Sequence, residues 1–233
     1  WRTPLGDMPV DASFIAALLQ GEDQSASSAE NTATVRQTDA PNTSPSALFK
    51  ADQAAHLGEH AIEVILPFLQ EIAPQAAIVP ICVADYNLEH LRRAGKLLAE
   101  TIARRDARFS KKLDKENENG GKPGSDKTDN RRRICLITSS DMNHFLPHEQ
   151  NMRLDALALD RLRAMDPEGL FKVVREKGIS MCGFAPACLM LFACLELGAK
   201  NCRVTAHTSS GITGQSFGAD MGRVVGYAGA LID

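Results

Sequence analysis

Apolar positions along this 233-residue chain come in short runs whose spacing switches between the periods of strand and helix. The run AIVPICVA (77–84) reads as a buried strand, and RICLITSS (133–140) as a second. Between them, NLEHLRRAGKLLAETIARR (87–105) places Leu88, Leu91, Leu98 and Ile102 on one helical face. Residues 149–164 read as a helix with Leu154, Leu157 and Leu162 as its apolar positions. Asp166 and Pro167 form an N-cap and first-turn pair for EGLFKVVREKG, which stops at Gly178. PACLMLFACLELG (186–198) is apolar all round and predicts a central buried helix. CRVTAHTSS and GRVVGYAGALI read as closing strands. This alternation predicts an α/β fold, a layered sheet, mainly parallel or mixed, with flanking helices.

Two stretches break the pattern. Residues 22–50 are rich in Ser, Thr, Ala, Asn and Asp, carry Pro41 and Pro45, and have no period. Residues 110–133, SKKLDKENENGGKPGSDKTDNRRR, are almost wholly polar. Neither buries enough apolar surface to offset the entropy of ordering, so both are read as disordered insertions in a single domain over 1–233. Arg131–Arg133 reads as a solvated loop end.

Composition narrows the class. Hydrophobic content of 44% with a net charge of −3 is that of a soluble globular domain and suggests neither nucleic acid nor membrane as a partner. No apolar run reaches the roughly 18–20 residues that span a bilayer. The six cysteines form no CxxC pair and sit mostly in apolar runs, which reads as reduced thiols of a cytoplasmic protein. The chain opens on Trp1, and WRTPLGDMPVD reads as the interior of a domain, so a longer protein is expected.

Three stretches carry candidate chemistry. In TSSDMNHFLPHE (138–149), Asp141 and His144 follow a predicted strand at three-residue spacing. In layered α/β folds ligands gather beyond the carboxyl ends of strands. The pair is either a metal or acid/base site, or a capping Asp with a backbone-satisfied His. His148 follows Pro147 and reads as a surface residue. His56, Glu59 and His60 match H-x-x-E-H, the inverted zinc-peptidase pattern, which needs both histidines on one helix face. Cys182 lies in a turn between two predicted helices, where a thiol can face a cleft as ligand or nucleophile; Cys188 and Cys194 read as core. The glycine-rich stretch 209–222 lacks the G-K-[ST] of a phosphate loop and reads as a site-lining hairpin. Tyr227 reads as packing.

Taken in order, WRTPLGDMPVD, EHAIEVILPFLQ, SSDMNHF, MDPEGL, GISMCGFAP and GRVVGYAGALI resemble the Memo-like family, also called AmmeMemoRadiSam system protein B. The resemblance covers the chain outside the two insertions. The family is similar to class III extradiol (LigB-like) dioxygenases, which implies an α/β fold with a non-haem iron or copper cleft. Asp141 and His144 match the family's SSD..H motif, and Cys182 its metal-proximal cysteine. His60 and Glu59 match the EHS.E cleft pair, with Ala61 where Ser is usual. The resemblance thus implies Cys182, His144 and Asp141 as metal ligands, and Asp141, His144, His60 and Glu59 as the catalytic set. Two further family histidines sit in PHAGY-like and GPSHH-like motifs that precede the matched segment, and neither motif occurs in this sequence. His90 and His207 lie in unrelated contexts. The domain is therefore expected to be N-terminally incomplete, with an incomplete ligand set.

Three functions follow as expectations. The first is a metal-dependent redox role, as an oxidoreductase related to the extradiol enzymes, or a signalling role. The second is a module that binds a protein or phosphopeptide partner without chemistry, since animal members of the family are associated with receptor signalling and motility. The third is a zinc peptidase acting through His56, Glu59 and His60.

Overall fold

The computed structural model describes residues 1–27, 48–118 and 134–233. A short antiparallel hairpin, β1 (Arg2–Thr3) with β2 (Gly6–Asp7), leads into helix α1 (Ala12–Ser27). Asp11 starts that helix. Its carboxylate accepts from Phe14 N at 3.0 Å and pairs with Arg105 at 2.5 Å, which ties α1 to α3 (Leu88–Glu118).

The helices follow local signals closely. Asn87 Oδ1 accepts from Glu89 N and His90 N and opens α3, which buries Leu91, Ala94, Leu98 and Ile102. Helix α4 runs His148–Arg163 and α5 Pro167–Lys177. The Asp166 side chain accepts from Gly169 N at 2.8 Å, and α5 ends at Gly178 in the left-handed conformation, φ 62°. Helix α6 (Phe184–Glu196) is the central one; it packs on α3 and α5 with Ala185, Cys188, Leu191 and Ala193 fully buried. Burying a side chain such as Leu191 is worth about 1.5–3 kcal/mol, so this helix supplies much of the core.

The fold mixes helices and small sheets, but the main sheet is antiparallel, against the expectation of a parallel or mixed one. Strand β5 (Val224–Ile232) lies between β3 (His144–Leu146) and β4 (Cys202–Ser209), antiparallel to both. For the β4–β5 pair the reason is local: residues 210–223 hold only a four-residue helix and a 3₁₀ turn, without the crossover helix that usually carries a chain back to pair in parallel. That connection is the glycine-rich stretch; it folds into the short helix α7 (Ser210–Thr213) and a 3₁₀ turn at Gln215–Phe217.

The strands expected at 77–84 and 133–140 are a correction. Both segments are extended, but among the described residues the first makes one parallel bridge, Val10 to Ile78, and the second has no ladder partner. Val79, Ile81, Val83 and Leu136 still turn their side chains onto the core. Alternating burial gives these segments a strand's pattern, but pairing is what makes a strand.

The insertion boundaries also change. Residues 22–27 continue α1 and residues 110–118 continue α3. Lys, Glu, Asp and Gln without Gly or Pro extend a helix at little cost even when no apolar face is present. The rest of both expected insertions lies outside the described residues. No helix among the described residues is long and apolar enough to cross a membrane.

Candidate functional site

The segment Ser139–Leu146 is held against β5 by two backbone bonds: Met142 N donates to Gly226 O and Gly226 N donates to Asn143 O, each at 2.9 Å. That pinning sets a simple in–out pattern. Met142 and Asn143 point inward and are buried, while Asp141 stays exposed and His144 half-exposed. Phe145 adopts φ 64°, the left-handed region, and turns the chain out of the site into β3 and then α4.

Cys182 comes from the α5–α6 turn and meets this segment closely. Asp141 N donates to its Sγ at 3.3 Å, and Ser140 Oγ lies 3.7 Å from the same sulfur. Ser140 Oγ accepts from Gly183 N at 2.8 Å and donates to Asp141 O at 2.6 Å, clamping the two segments together. The approach leaves no space for a side chain at 183: a Cβ there would lie 2.5 Å from Ser140 Cβ and 2.9 Å from Ser139 O. His144 Nε2 lies 3.6 Å from Asp141 Oδ2, within ion-pair range but beyond a hydrogen bond, and is a buried nitrogen without a hydrogen-bond partner. Asp141, His144 and Cys182, which lie 41 residues apart at the extremes, thus form one cluster presenting N, O and S donors. Among the described residues, however, no three His, Cys, Asp or Glu side chains are spaced to hold a metal ion.

His60 and Glu59 are engaged elsewhere. His60 is exposed, and its Nδ1 bonds Glu63 Oε1 at 2.9 Å; that hydrogen bond and the Glu63 charge raise the imidazole pKa above its ordinary value. Glu59 Oε2 accepts from Ile62 N at 2.7 Å, while its Oε1 is buried without a partner. Neither residue bonds to the Asp141–His144–Cys182 cluster. The H-x-x-E-H reading needs correction on geometry. His56 closes a 3₁₀ turn (Ala54–His56), residues 57–60 are irregular, and helix α2 starts only at Leu66, so no helix face carries both histidines. His56 instead places Nδ1 3.3 Å from Cys82 Sγ and packs edge-on against Trp1.

His148, expected at the surface, is half-buried: its Nδ1 lies 2.9 Å from the fully buried Ser209 Oγ. The most informative polar residues went unread in the sequence. Asn143, Asn151 and Asp155 are buried to 1%, 0% and 0% exposure, and they bond to one another, to Ser180 and to His207. A signal for them exists. The stripe of α4 that is buried is Asn151, Asp155, Ala158, Leu159 and Leu162, with helical spacing, and Asn and Asp on such a stripe mark a polar network. Leu157, expected on the apolar face, is instead 37% exposed. An open cleft of about 720 Å³ lies elsewhere, lined by Arg92, Arg93, Lys96, Glu168 and Phe192 among others, and by none of the cluster.

Comparison with known proteins bears on the whole chain. The family described as Memo-like protein matches residues 1–114 and 121–231. A MEMO1 family protein of Methanocaldococcus jannaschii is 31% identical over 238 residues, covering 100% of this chain and 64% of that protein. A MEMO1 family protein of Methanopyrus kandleri is 27% identical over 229 residues, 98% of this chain and 62% of its own length. One from Archaeoglobus fulgidus is 29% identical over 231 residues, 99% and 67% respectively. The chain thus spans a little under two thirds of the first two of these relatives.

Proposed function

The chain belongs to the Memo-like family, and from that premise we propose that the Asp141–His144–Cys182 cluster is one wall of a non-haem iron or copper cleft with a redox or signalling role. The observation that carries the reading is the buried, partnerless Nε2 of His144 beside the Asp141 carboxylate. A buried nitrogen without a partner is costly unless a ligand takes it, and imidazole with carboxylate suits iron and copper. The side chains of the cluster make a partial ligand set, so further ligands come from substrate, water or protein groups outside the described residues. In the same reading the domain is a single Memo-like unit related to the class III extradiol (LigB-like) dioxygenases, and any oxidoreductase activity belongs to the completed cleft.

Iron and copper content after anaerobic loading tests this. The wild-type chain should retain metal, and His144→Ala and Cys182→Ser should each lose it. Equal loading of wild type and His144→Ala sinks the proposal.

A second reading, recognition of a protein or phosphopeptide partner, is favoured by the rim of the cluster. Phe145 is 57% exposed and lies beneath the Arg223 guanidinium, whose carbon is 4.7 Å from the ring centroid. An aromatic with an arginine over it suits a phosphorylated side chain. Peptide binding that survives Cys182→Ser and His144→Ala but not Arg223→Ala would favour this reading over metal chemistry.

A further inference from the structure

Behind the cluster lies a carboxylate whose hydrogen bonds go to Asn143, Asn151 and His207. Asp155 sits on α4 with 0% exposure. Its Oδ1 accepts from Asn143 N at 2.7 Å, and its Oδ2 lies 3.2 Å from His207 Nε2 on β4 and 3.4 Å from Asn151 Nδ2. Asn151 donates to Asn143 O at 3.0 Å and accepts from Asn143 Nδ2 at 2.7 Å. Asn143 Oδ1 in turn accepts from Ser180 N at 2.9 Å and Ser180 Oγ at 3.1 Å, and Ser180 Oγ accepts from His144 N at 2.8 Å.

We propose that Asp155 is the positioning residue of the cluster, fixing His144 through Asn143 and fixing the Cys182 turn through Ser180. The inference deepens the metal-cleft reading, on which its affinity readout rests. Three observations carry it. The bonds form one continuous chain from Asp155 to the backbone on either side of Asn143 and to a residue two before Cys182. A buried carboxylate on a helix face that elsewhere carries Ala158, Leu159 and Leu162 costs desolvation that an apolar side chain would not, so its presence there, bonded to Asn143, Asn151 and His207, points to specificity of geometry. The backbone around it is cut to fit: a Cβ at Gly226 would lie 1.9 Å from Asp155 Oδ2 and 2.9 Å from Asn151 Nδ2. Asp155 therefore contributes no donor to the cleft; it decides where the donors stand.

The test compares wild type, Asp155→Asn and Ser180→Ala by two-dimensional NMR of ¹⁵N-labelled histidine rings, with His144→Gln for assignment. Asp155→Asn should shift the His144 ring signals while those of His60 and His90, outside the network, stay in place. Fe²⁺ affinity should fall by about 10–100-fold, the range for loss of a group that orients a ligand. Should Asp155→Asn fail to fold, Ser180→Ala, which removes one hydroxyl from an exposed residue and with it the bonds to Asn143 Oδ1 and from His144 N, should move the His144 signals in the same way. Unchanged His144 signals in a folded Asp155→Asn protein, or in Ser180→Ala where that alone folds, overturn the proposal. Absence of Fe²⁺ binding by the wild type instead removes the metal reading, and the histidine signals then decide the positioning role by themselves.

Discussion

Asn143 donates its backbone N–H to the Asp155 carboxylate over 2.7 Å, in a place where both residues are shut off from water. That one bond joins the segment carrying Asp141 and His144 to the interior face of α4, and burial there pushes the Asp155 pKa up, against the Asn143 and His207 hydrogen bonds that favour its charge.

The sharpest consequence concerns Gly226. Its Cβ position is occupied by Asp155 Oδ2, 1.9 Å away. Gly226→Ala should therefore destabilise the protein by about 3 kcal/mol or more, through overpacking and loss of buried hydrogen bonds. Gly58, with no atom within 4 Å of its Cβ position, is the control; Gly58→Ala should stay within about 0.5 kcal/mol. Urea unfolding midpoints measure both.

Thiol reactivity should sort the cysteines by place. Cys82, Cys135 and Cys182 are exposed, whereas Cys188 is buried and burial pushes its thiol up to about 12. At pH 8 an aromatic disulfide reagent should modify the three exposed thiols of the native protein first and leave Cys188 until unfolding. Mass spectrometry of partly labelled peptides reads the order, and early labelling of Cys188 would contradict its packing.

His60 should titrate above the ordinary value of about 6.5, because Glu63 accepts its hydrogen bond and adds an opposite charge. The folded value is raised, so the pair's contribution to stability is complete below the unfolded value and is lost as pH rises through the folded one. Glu63→Gln should bring the His60 NMR titration midpoint back down. A midpoint that does not move would show that the pair is not formed in solution.

The Asp11–Arg105 pair behaves in the opposite sense. Burial pushes the Asp11 pKa up, but hydrogen bonds from Ser13, Phe14 N and Arg105 and the Arg105 charge outweigh it and hold the carboxyl below its usual range. Its contribution is present above the unfolded value of about 3.9 and is lost as pH falls through the folded one. Arg105→Ala should cost about 1–2 kcal/mol at pH 7, since the pair is mostly buried and Arg105 also packs over Phe14. The difference from wild type should shrink on acidification, as thermal unfolding at pH 7 and pH 3 would register.

Where the chain's own neighbours decide structure, the sequence was readable. Asp166 and Gly178 bound α5 as their types require, the all-apolar run became the buried α6, and Leu91, Leu98 and Ile102 turned inward at helical spacing. The strands at 77–84 and 133–140 were not readable, because a strand is defined by a partner and the pattern of burial does not name one. The same limit applied to His60, whose motif did not reveal that Glu63 holds its ring.

The sequence alone determined the caps of α5, the burial of α6 and the inward face of α3, the order of motifs that marks the family, and the presence of Asp141, His144 and Cys182 in two separate segments. Tertiary structure alone decided that α1 and α3 run on into the polar stretches, that the two segments meet, that His144 keeps a buried nitrogen without a hydrogen-bond partner, and that Asn143, Asn151 and Asp155 are interior. The reason is range. Caps and periodicity act over a few residues, whereas the bonds from Asn143 to Ser180 and from Asp155 to His207 cross 37 and 52 residues. Whether a polar side chain is buried depends on such partners, which local patterns do not contain.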